Sequence, residues 1–426
     1  MGSFRIRAAG GLTMPDRYSE CGDSTDCDWK LDFTLPWVQY LDVGQGDGTF
    51  CYFPKTDTTA PQTVLIDLGS KKNATVAGTC ARQFIYCALK TIQAAEGWPL
   101  PRLDYLFVTH GDGDHYNLII PLLEMFHASG QDLVVGQLII GGPPSDYDQP
   151  FRTQVIQPLD ALGRLVKLAD CAHDPENTAS WTFLDGGAYL YLLSANYPVG
   201  NYGPKNPKSI VLMLEFQVSD EFLVRSIFMG DAEESVERAI MGYYPGGTFL
   251  RSDTLKLGHH GSQAGSSEEW VQTVHPYAVF ASADMKWAHP YCSTLKRVSE
   301  NTQLSDQQLE HGFLCGQGAG VNKEYVAHND TRIGIFVNLT SLTVYRDADE
   351  DDDDEVMMDI EEEVTATVQQ METVNGGRFE MAVTSDGEVV ISQGALHPGA
   401  TMRVVYRGKA RRRPTAGATA SAHAGG

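Results

Sequence analysis

One seven-residue segment constrains this chain more than any other: Thr109-His110-Gly111-Asp112-Gly113-Asp114-His115. Four candidate metal ligands fall within six positions. They directly follow Leu103 to Thr109, a short and mostly apolar run that reads as a buried strand. Imidazole and carboxylate suit zinc, and also manganese or iron. Positions 110 and 112 can face one ion, while adjacent 114 and 115 wrap around a second. Gly111 and Gly113 let the loop turn tightly. The bland reading is a polar loop with an N-cap Asp. Two later fragments weigh against it. Ile227-Phe228-Met229-Gly230-Asp231 again sets a carboxylate just past an apolar strand, where a lone Asp is usually a helix N-cap. Leu255-Lys256-Leu257-Gly258-His259-His260-Gly261-Ser262 sets two histidines past another strand. His110, His115, His259, His260 and His289 thus all lie at strand ends or in the loops beside them.

The rest of the chain alternates strands and helices. Strands are expected at Trp37 to Val43, Thr49 to Phe53, Thr63 to Ile66, Leu133 to Ile140, Ala188 to Leu193, Ser209 to Phe216, Phe222 to Met229, Thr254 to Leu257, Ala278 to Ala281 and Arg332 to Val337. Helical spacing covers 76–96, which stops at Gly97-Trp98-Pro99, then about Tyr116 to Phe126, 153–166 and Glu233 to Met241. Ser266 to Glu269 has capping-box spacing and opens a short helix. This pattern predicts an α/β protein with two mixed sheets covered by helices. An irregular segment, 1–35, precedes the main domain at 36–346. Residues 347–363 hold twelve acids and no base, an extended linker of repelling charges. Residues 364–408 read as a small β-module, and 409–426 as a disordered basic, then Ala/Gly-rich tail.

The order DVGQGD, LIDLGS, THGDGDH, MGDAEESVE, LKLGHHGS closely resembles the metallo-β-lactamase superfamily. Within it, the chain looks like the hydrolase domain of ComEC-type competence proteins and their stand-alone relatives, over about residues 36 to 345. The resemblance implies an αββα four-layer sandwich with a dinuclear metal site at one edge of the sheets. It implies two divalent ions, Zn2+ foremost and Mn2+ as the alternative. His110 and Asp112 would bind the first ion, Asp114 and His115 the second, and Asp231 would bridge both. One of His259 and His260 would complete the second ion's shell; the strand's end at Gly258 slightly favours His259, and the sequence does not settle it. Asp67 matches an early family Asp expected to orient ligands from behind. Asp42 and Asp47 belong to the DVGQGD turn and read as structural.

Some positions depart from the family. Asp112 stands where many superfamily members carry His. Tyr116-Asn117-Leu118 follows the motif in place of apolar-Gly-Gly. The superfamily's middle His has no clear counterpart, with His127 and His173 the candidates. Trp287-Ala288-His289-Pro290-Tyr291 resembles a Tyr-Gly-His-Pro segment, so His289 is a candidate proton donor or phosphate contact; otherwise it is a loop His stiffened by Pro290. Asn206-Pro207-Lys208-Ser209 reads as a turn into a strand.

The resemblance implies a metal-dependent hydrolase that uses a metal-bound hydroxide, foremost on phosphodiesters. Asp114 or Asp231 would take up the proton, and Ser262 and His289 would contact phosphate oxygens. The alternatives are a hydrolase of another ester class (lactone, thioester or lactam) on the same scaffold, or an inactive metal-binding interaction protein. The net charge is −23, of which the body to residue 346 carries −14. That disfavours long duplex DNA, since non-specific affinity needs cations on phosphates. A small phosphodiester or a short nucleic acid fits better. The acidic linker and C-terminal module are the candidate docking places for a protein partner. No apolar run reaches transmembrane length and no apolar signal region opens the chain, so a cytoplasmic location is expected, without membrane contact. The eight scattered cysteines read as free, buried thiols, with Cys21/Cys27 the one pair spaced to close a loop.

Overall fold

The computed structural model describes residues 5–7, 27, 36–71, 75–166, 168, 182–184, 187–197, 204–217, 222–283, 287–301, 313–318, 324–328, 334–339, 378–383, 388–394, 403–409 and 411–412. Two large mixed sheets face each other. In the first, Trp37–Leu41, Gly48–Phe53 and Gln62–Leu68 pair antiparallel; Arg102–Val108, Val134–Ile140 and Leu165–Val166 then continue in parallel. In the second, Phe222–Phe228, Thr254–Lys256, Ala278–Ala283 and Gly334–Leu339 run parallel. Val211–Gln217, Ala188–Ser194 and Thr182–Phe183 extend its other side antiparallel.

The strands are apolar on both faces because both faces are covered. Alternation divides their side chains: Trp37 and Leu41 point to the helix layer, Val38 and Tyr40 to the opposite sheet. The helix Thr75–Glu96 follows the same logic at helical spacing. Its Ala81, Phe84, Ile85, Ala88, Leu89 and Ile92 are fully buried against the first sheet. Each large one contributes about 1.5–3 kcal/mol of burial. Glu234–Tyr243, Glu268–Val274 and Cys292–Asn301 cover the second sheet through Val236, Ile240, Trp270, Val271 and Leu295. Helix, sheet, sheet, helix is the four-layer sandwich expected.

Three readings change. The C-terminal segment is β-rich as expected, but it is no body apart. Arg378–Val383 pairs with Trp37–Leu41, followed by Glu388–Gly394 and Arg403–Lys409. Trp37–Leu41 would otherwise end its sheet with unpaired backbone, and Phe379 and Met381 enter the core between the sheets. Lys409 belongs to the last of these strands, and Arg411–Arg412 pairs with Phe222 and Leu223 of the second sheet, within what reads as a disordered tail. Second, residues 153–166 are not one helix: Arg152–Ile156 is a π-turn, Gln157–Ala161 is helical, and Gly163 turns the chain into Leu165–Val166. Third, the cysteines are largely bonded. Cys27–Cys87 and Cys292–Cys315 are disulfides, Cys80 is disulfide-bonded too, and Cys51 is the free cysteine among the described residues. Sequence spacing hid these pairs because they join positions 60 and 23 residues apart. The acidic linker, Cys21 and His173 lie outside the described residues.

Candidate metal centre

The carboxyl ends of Arg102–Val108, Phe222–Phe228 and Thr254–Lys256 meet at one edge of the sandwich, the place where open α/β sheets put ligands. His110, Asp112, Asp114, His115, Asp231, His259 and His260 all follow from these ends. A close backbone crossing sets the loops. Asp47 N–H donates to Asp114 O at 3.2 Å, and Gly69 N–H to Asp47 O at 3.0 Å. A Cβ on Gly69 would stand 2.3 Å from the Asp114 carbonyl carbon, so only glycine permits the crossing. Gly230, at φ +53, lets Asp231 turn back past Thr109.

Three imidazoles are oriented from behind. Thr109 N–H and its hydroxyl both donate to Asp67, each at 2.7 Å. Asp67 Oδ2 also lies 2.8 Å from His115 Nδ1, which must donate to it. His260 Nδ1 donates to Ser282 O at 3.1 Å. His110 Nδ1 is 3.2 Å from Thr109 Oγ1, whose own proton is already given to Asp67. With each Nδ1 fixed as donor, each neutral ring turns an Nε2 lone pair inward. These three Nε2 atoms and Asp231 Oδ1 are buried without a hydrogen-bond partner. Asp231 Oδ1 lies 3.3 Å from His115 Nε2 and 3.4 Å from His260 Nε2; its Oδ2 lies 3.7 Å from His110 Nε2. Asp114 Oδ2 is 3.6 Å from His260 Nε2. Unpaired buried donors are costly unless something takes their lone pairs, and this set fits a divalent cation.

The charges agree. Burial works against ionising both Asp231 and His115, yet their attraction outweighs it. Asp231 is held well below the usual carboxylate range, by His260 and His115. The Asp231 and Asp67 carboxylates raise His115 well above the ordinary imidazole. A cation bound there takes the proton's place, since a ligand imidazole is neutral.

His260 is the buried one of the pair, while His259 lies at the rim with its Nε2 3.8 Å from Asp231 Oδ2. The HHGS turn holds both in left-handed backbone, at φ 54 and 48. That is uncommon outside glycine and reverses the expected order. His259 sits at the rim, its Nδ1 3.1 Å from Glu233 Oε1, and within reach of Asn206. Burial works against its charge, but Glu233 and Asp231 raise its pKa. Asp112 is also at the rim, its side chain 37% exposed, 3.5 Å from His110 Nε2 and 3.1 Å from Lys205 Nζ. His110 and then Lys205 hold its carboxyl down at about 2. His289 is nearly buried beside this rim and bonds Gln45 at 3.1 Å through Nδ1. Ser262 is buried at the end of the HHGS turn, where its hydroxyl accepts from Ala264 N–H at 3.2 Å. His127 is exposed and pairs with Asp132, so it is no middle ligand. Residues 206–209 do more than turn, since Ser209 Oγ accepts from Asp231 N–H at 3.1 Å.

Several participants were not anticipated. Asp47, read as structural, reaches the cluster's inner face, 3.7 Å from His260 Nδ1, and is ion-paired with buried Lys256 at 2.6 Å. Lys71 Nζ bonds Asp114 Oδ1 at 2.7 Å. The DVGQGD acid and the strand-end Lys256 are visible in their motifs; Lys71 and Lys205 carry no local signal.

No family profile matches the chain. It is 26% identical over 274 residues to ComE operon protein 3 of Bacillus subtilis (strain 168), a match covering 62% of this chain and 31% of that protein. The chain thus spans about a third of that relative. Solved structures that align with it include a long form RNase Z from yeast, 12% identical, with a TM-score of 0.38 over 71% of this chain and 42% of that one. The metallo-β-lactamase fold protein YhfI from Bacillus subtilis is also 12% identical, with a TM-score of 0.33 over 63% and 94%. Scores this low add nothing to the fold, which stands on its own topology and motif order. The chain has the four-layer sandwich of the metallo-β-lactamase superfamily. Within it, the chain is a homologue of ComEC-type proteins.

Proposed function

We propose that this protein is a metal-dependent phosphodiesterase acting on small or short, single-stranded substrates. The observation that carries this reading is that three unpaired Nε2 atoms, of His110, His115 and His260, surround the Asp231 carboxylate in overlapping buried groups. His115, His260, Asp114 and Asp231 would hold a divalent ion, with His110 adjoining. When bound, such an ion supplies Lewis acidity and lowers the pKa of water towards about 7. The residues supply the rest. Asp231 presents one oxygen to each side of the cluster, which suits it to orient the attacking water and take its proton. Lys71 and Lys205 flank the cluster from opposite loops and suit phosphate oxygens. We assign to His289, which bonds Gln45 through Nδ1, the role of proton donor to the leaving oxygen. The acidic body favours small substrates over duplex nucleic acid.

The test is hydrolysis of bis(p-nitrophenyl) phosphate by protein loaded with Zn2+ or Mn2+. Asp231→Asn is expected to lose more than about 100-fold in kcat/KM, beyond the range for residues that only orient ligands. Metal binding without turnover would move the reading to other esters.

Among the described residues no helix is long and apolar enough to cross a membrane. Disulfides persist in oxidising compartments and are rare in a reducing cytosol, so we place the working environment of the protein in an oxidising one rather than in the expected cytoplasm. Alkylation of unfolded protein without reductant should label Cys51 and leave Cys27, Cys80, Cys87, Cys292 and Cys315 unlabelled. Labelling all of them in protein taken directly from its source would return it to the cytoplasm.

A further inference from the structure

Resting on the phosphodiesterase reading, we propose that Trp287 is a stacking platform beside the metal centre. It selects a phosphodiester that carries a nucleobase, as in a short single strand, over one that carries none.

The place of this side chain carries the inference. Trp287 is 41% exposed. A single apolar side chain in solvent is ordinary. Leu100, Leu162, Tyr189 and Tyr243 are exposed too, in elements that supply no residue of the centre. Trp287 differs in its neighbours. Lys71 Nζ stands 5.9 Å from the centre of its ring, near the outer limit of a cation–π approach. The same Nζ is 2.7 Å from Asp114 Oδ1. One ammonium therefore lies between the indole and a candidate metal ligand. Two residues further on, His289 lines the rim, its ring centre 5.4 Å from that of His259 and 6.2 Å from that of His260.

The segment that bears Trp287 is held on two sides. Ala288 is buried at φ 63, a left-handed backbone uncommon for alanine. Its surroundings impose that turn. A Cβ on Gly316 would stand 2.4 Å from Ala288 O, so the strand Phe313–Gln317 passes directly against it. Gly316 N–H donates to Pro290 O at 2.8 Å, and Tyr291 N–H donates to Gly261 O at 2.9 Å. Ala288 is thus turned in, and its neighbours are tied both to that strand and to the HHGS turn. A platform fixed before binding loses little freedom when a ring settles on it.

The pair of groups names the ligand. An ammonium has three protons and Asp114 takes one, so a phosphate oxygen can share Lys71. A cation for the phosphate beside an aromatic face for the base is how single strands are held without sequence readout. The sugar spaces the two. In a duplex the base faces are already stacked, so an indole gains nothing there without unstacking them. A diester without a planar group would meet the lysine alone. The acidic body leaves open both a bare small phosphodiester and a short strand, and Trp287 favours the second.

The experiment uses full-length protein loaded with Zn2+ and reads binding by calorimetry, so it does not depend on turnover. Two probes share the same phosphate group: thymidine monophosphate, and methyl phosphate, which has no base. Wild type is expected to bind the nucleotide about 5–150-fold more tightly, the range for one stacked base. Trp287→Ala should bring the nucleotide towards methyl phosphate and leave methyl phosphate itself within about twofold. Trp287→Phe should keep most of the preference. Trp287→Leu, which restores apolar bulk without an aromatic face, should lose it, and replaces the Ala variant if that one fails to fold. Equal affinity for the two probes in wild type would overturn the proposal, as would a preference untouched in both Trp287→Ala and Trp287→Leu. Binding of neither probe would overturn it together with the phosphodiesterase reading. A base preference that depends on Trp287, with no phosphodiester turned over, would overturn the proposed reaction and leave this inference standing.

Discussion

On one side of the centre, Asp114, His115 and His260 are buried, and both rings have their outer nitrogen bonded to a fixed acceptor. On the other, Asp112 and His259 are partly open; Lys205 pairs with Asp112 as Lys71 does with Asp114, and Glu233 meets His259 Nδ1. The residue types are the same on both sides; the difference lies in what stands behind them. Asp67 binds His115, Thr109 N–H and the Thr109 hydroxyl at once, so its carboxylate is spent on holding and its ring partner is free to ligate. Glu233 meets His259 Nδ1 at the half-buried rim, where solvent partly screens the pair. A donor pattern read along the chain cannot separate these cases. Burial can.

The sharpest way to break this comparison is to exchange the neighbours in the HHGS turn. His260→Ala should lose the tightly held ion, and with it at least about 100-fold in kcat/KM for bis(p-nitrophenyl) phosphate, beyond the loss from a residue that only orients a ligand. His259→Ala should keep the metal and lose about tenfold or less. Metal content by mass spectrometry decides between them. Equal losses, or loss of metal in His259→Ala alone, would mean that the turn presents the other ring.

A smaller effect comes from the groups behind the rings. Asp67→Asn keeps the shape but weakens the acceptor for His115 Nδ1, and is expected to lower metal affinity by about 10–100-fold. Glu233→Gln, by the same comparison, should leave it within about fivefold, as expected of a part-exposed pair worth at most about 1 kcal/mol. Competition against a chromogenic chelator measures both. A Glu233 effect as large as that of Asp67 would mean that His259 ligates.

Much of this centre was legible in the sequence because its ligands follow short apolar strands, and the motif order fixes which strand ends come together. His110, Asp114, His115 and Asp231 needed only that. The choice between His259 and His260 was not legible. It depends on two consecutive left-handed residues; histidine adopts that backbone more readily than most side chains, but no local pattern announces it twice in a row. Lys71 and Lys205 were hidden for another reason: each meets its carboxylate across 43 or 93 positions of chain, in loops of ordinary polar composition. The C-terminal strands were visible as strands from their alternation. Their attachment was not, because pairing with Trp37–Leu41 spans the whole domain.

The smallest expected effect tests the frame that carries the buried side. Glu237 is fully buried on Glu234–Tyr243, and its carboxylate accepts the N–H groups of Ser266 and Ser267, just after the HHGS turn. Burial pushes its pKa up, and the serine hydrogen bonds do not offset it. An acid whose folded pKa is raised holds its proton more tightly in the folded state. Its contribution is therefore greatest below the unfolded value and is lost as pH rises through the folded value. Glu237→Gln removes that titration. The variant's stability relative to wild type should rise between pH 4 and the raised folded pKa and level off above it, whatever its absolute value at pH 4. Thermal melts of metal-free protein across that range measure the slope. A pH-independent difference would show that Glu237 titrates alike in both states, and that the serine N–H groups compensate its burial in full.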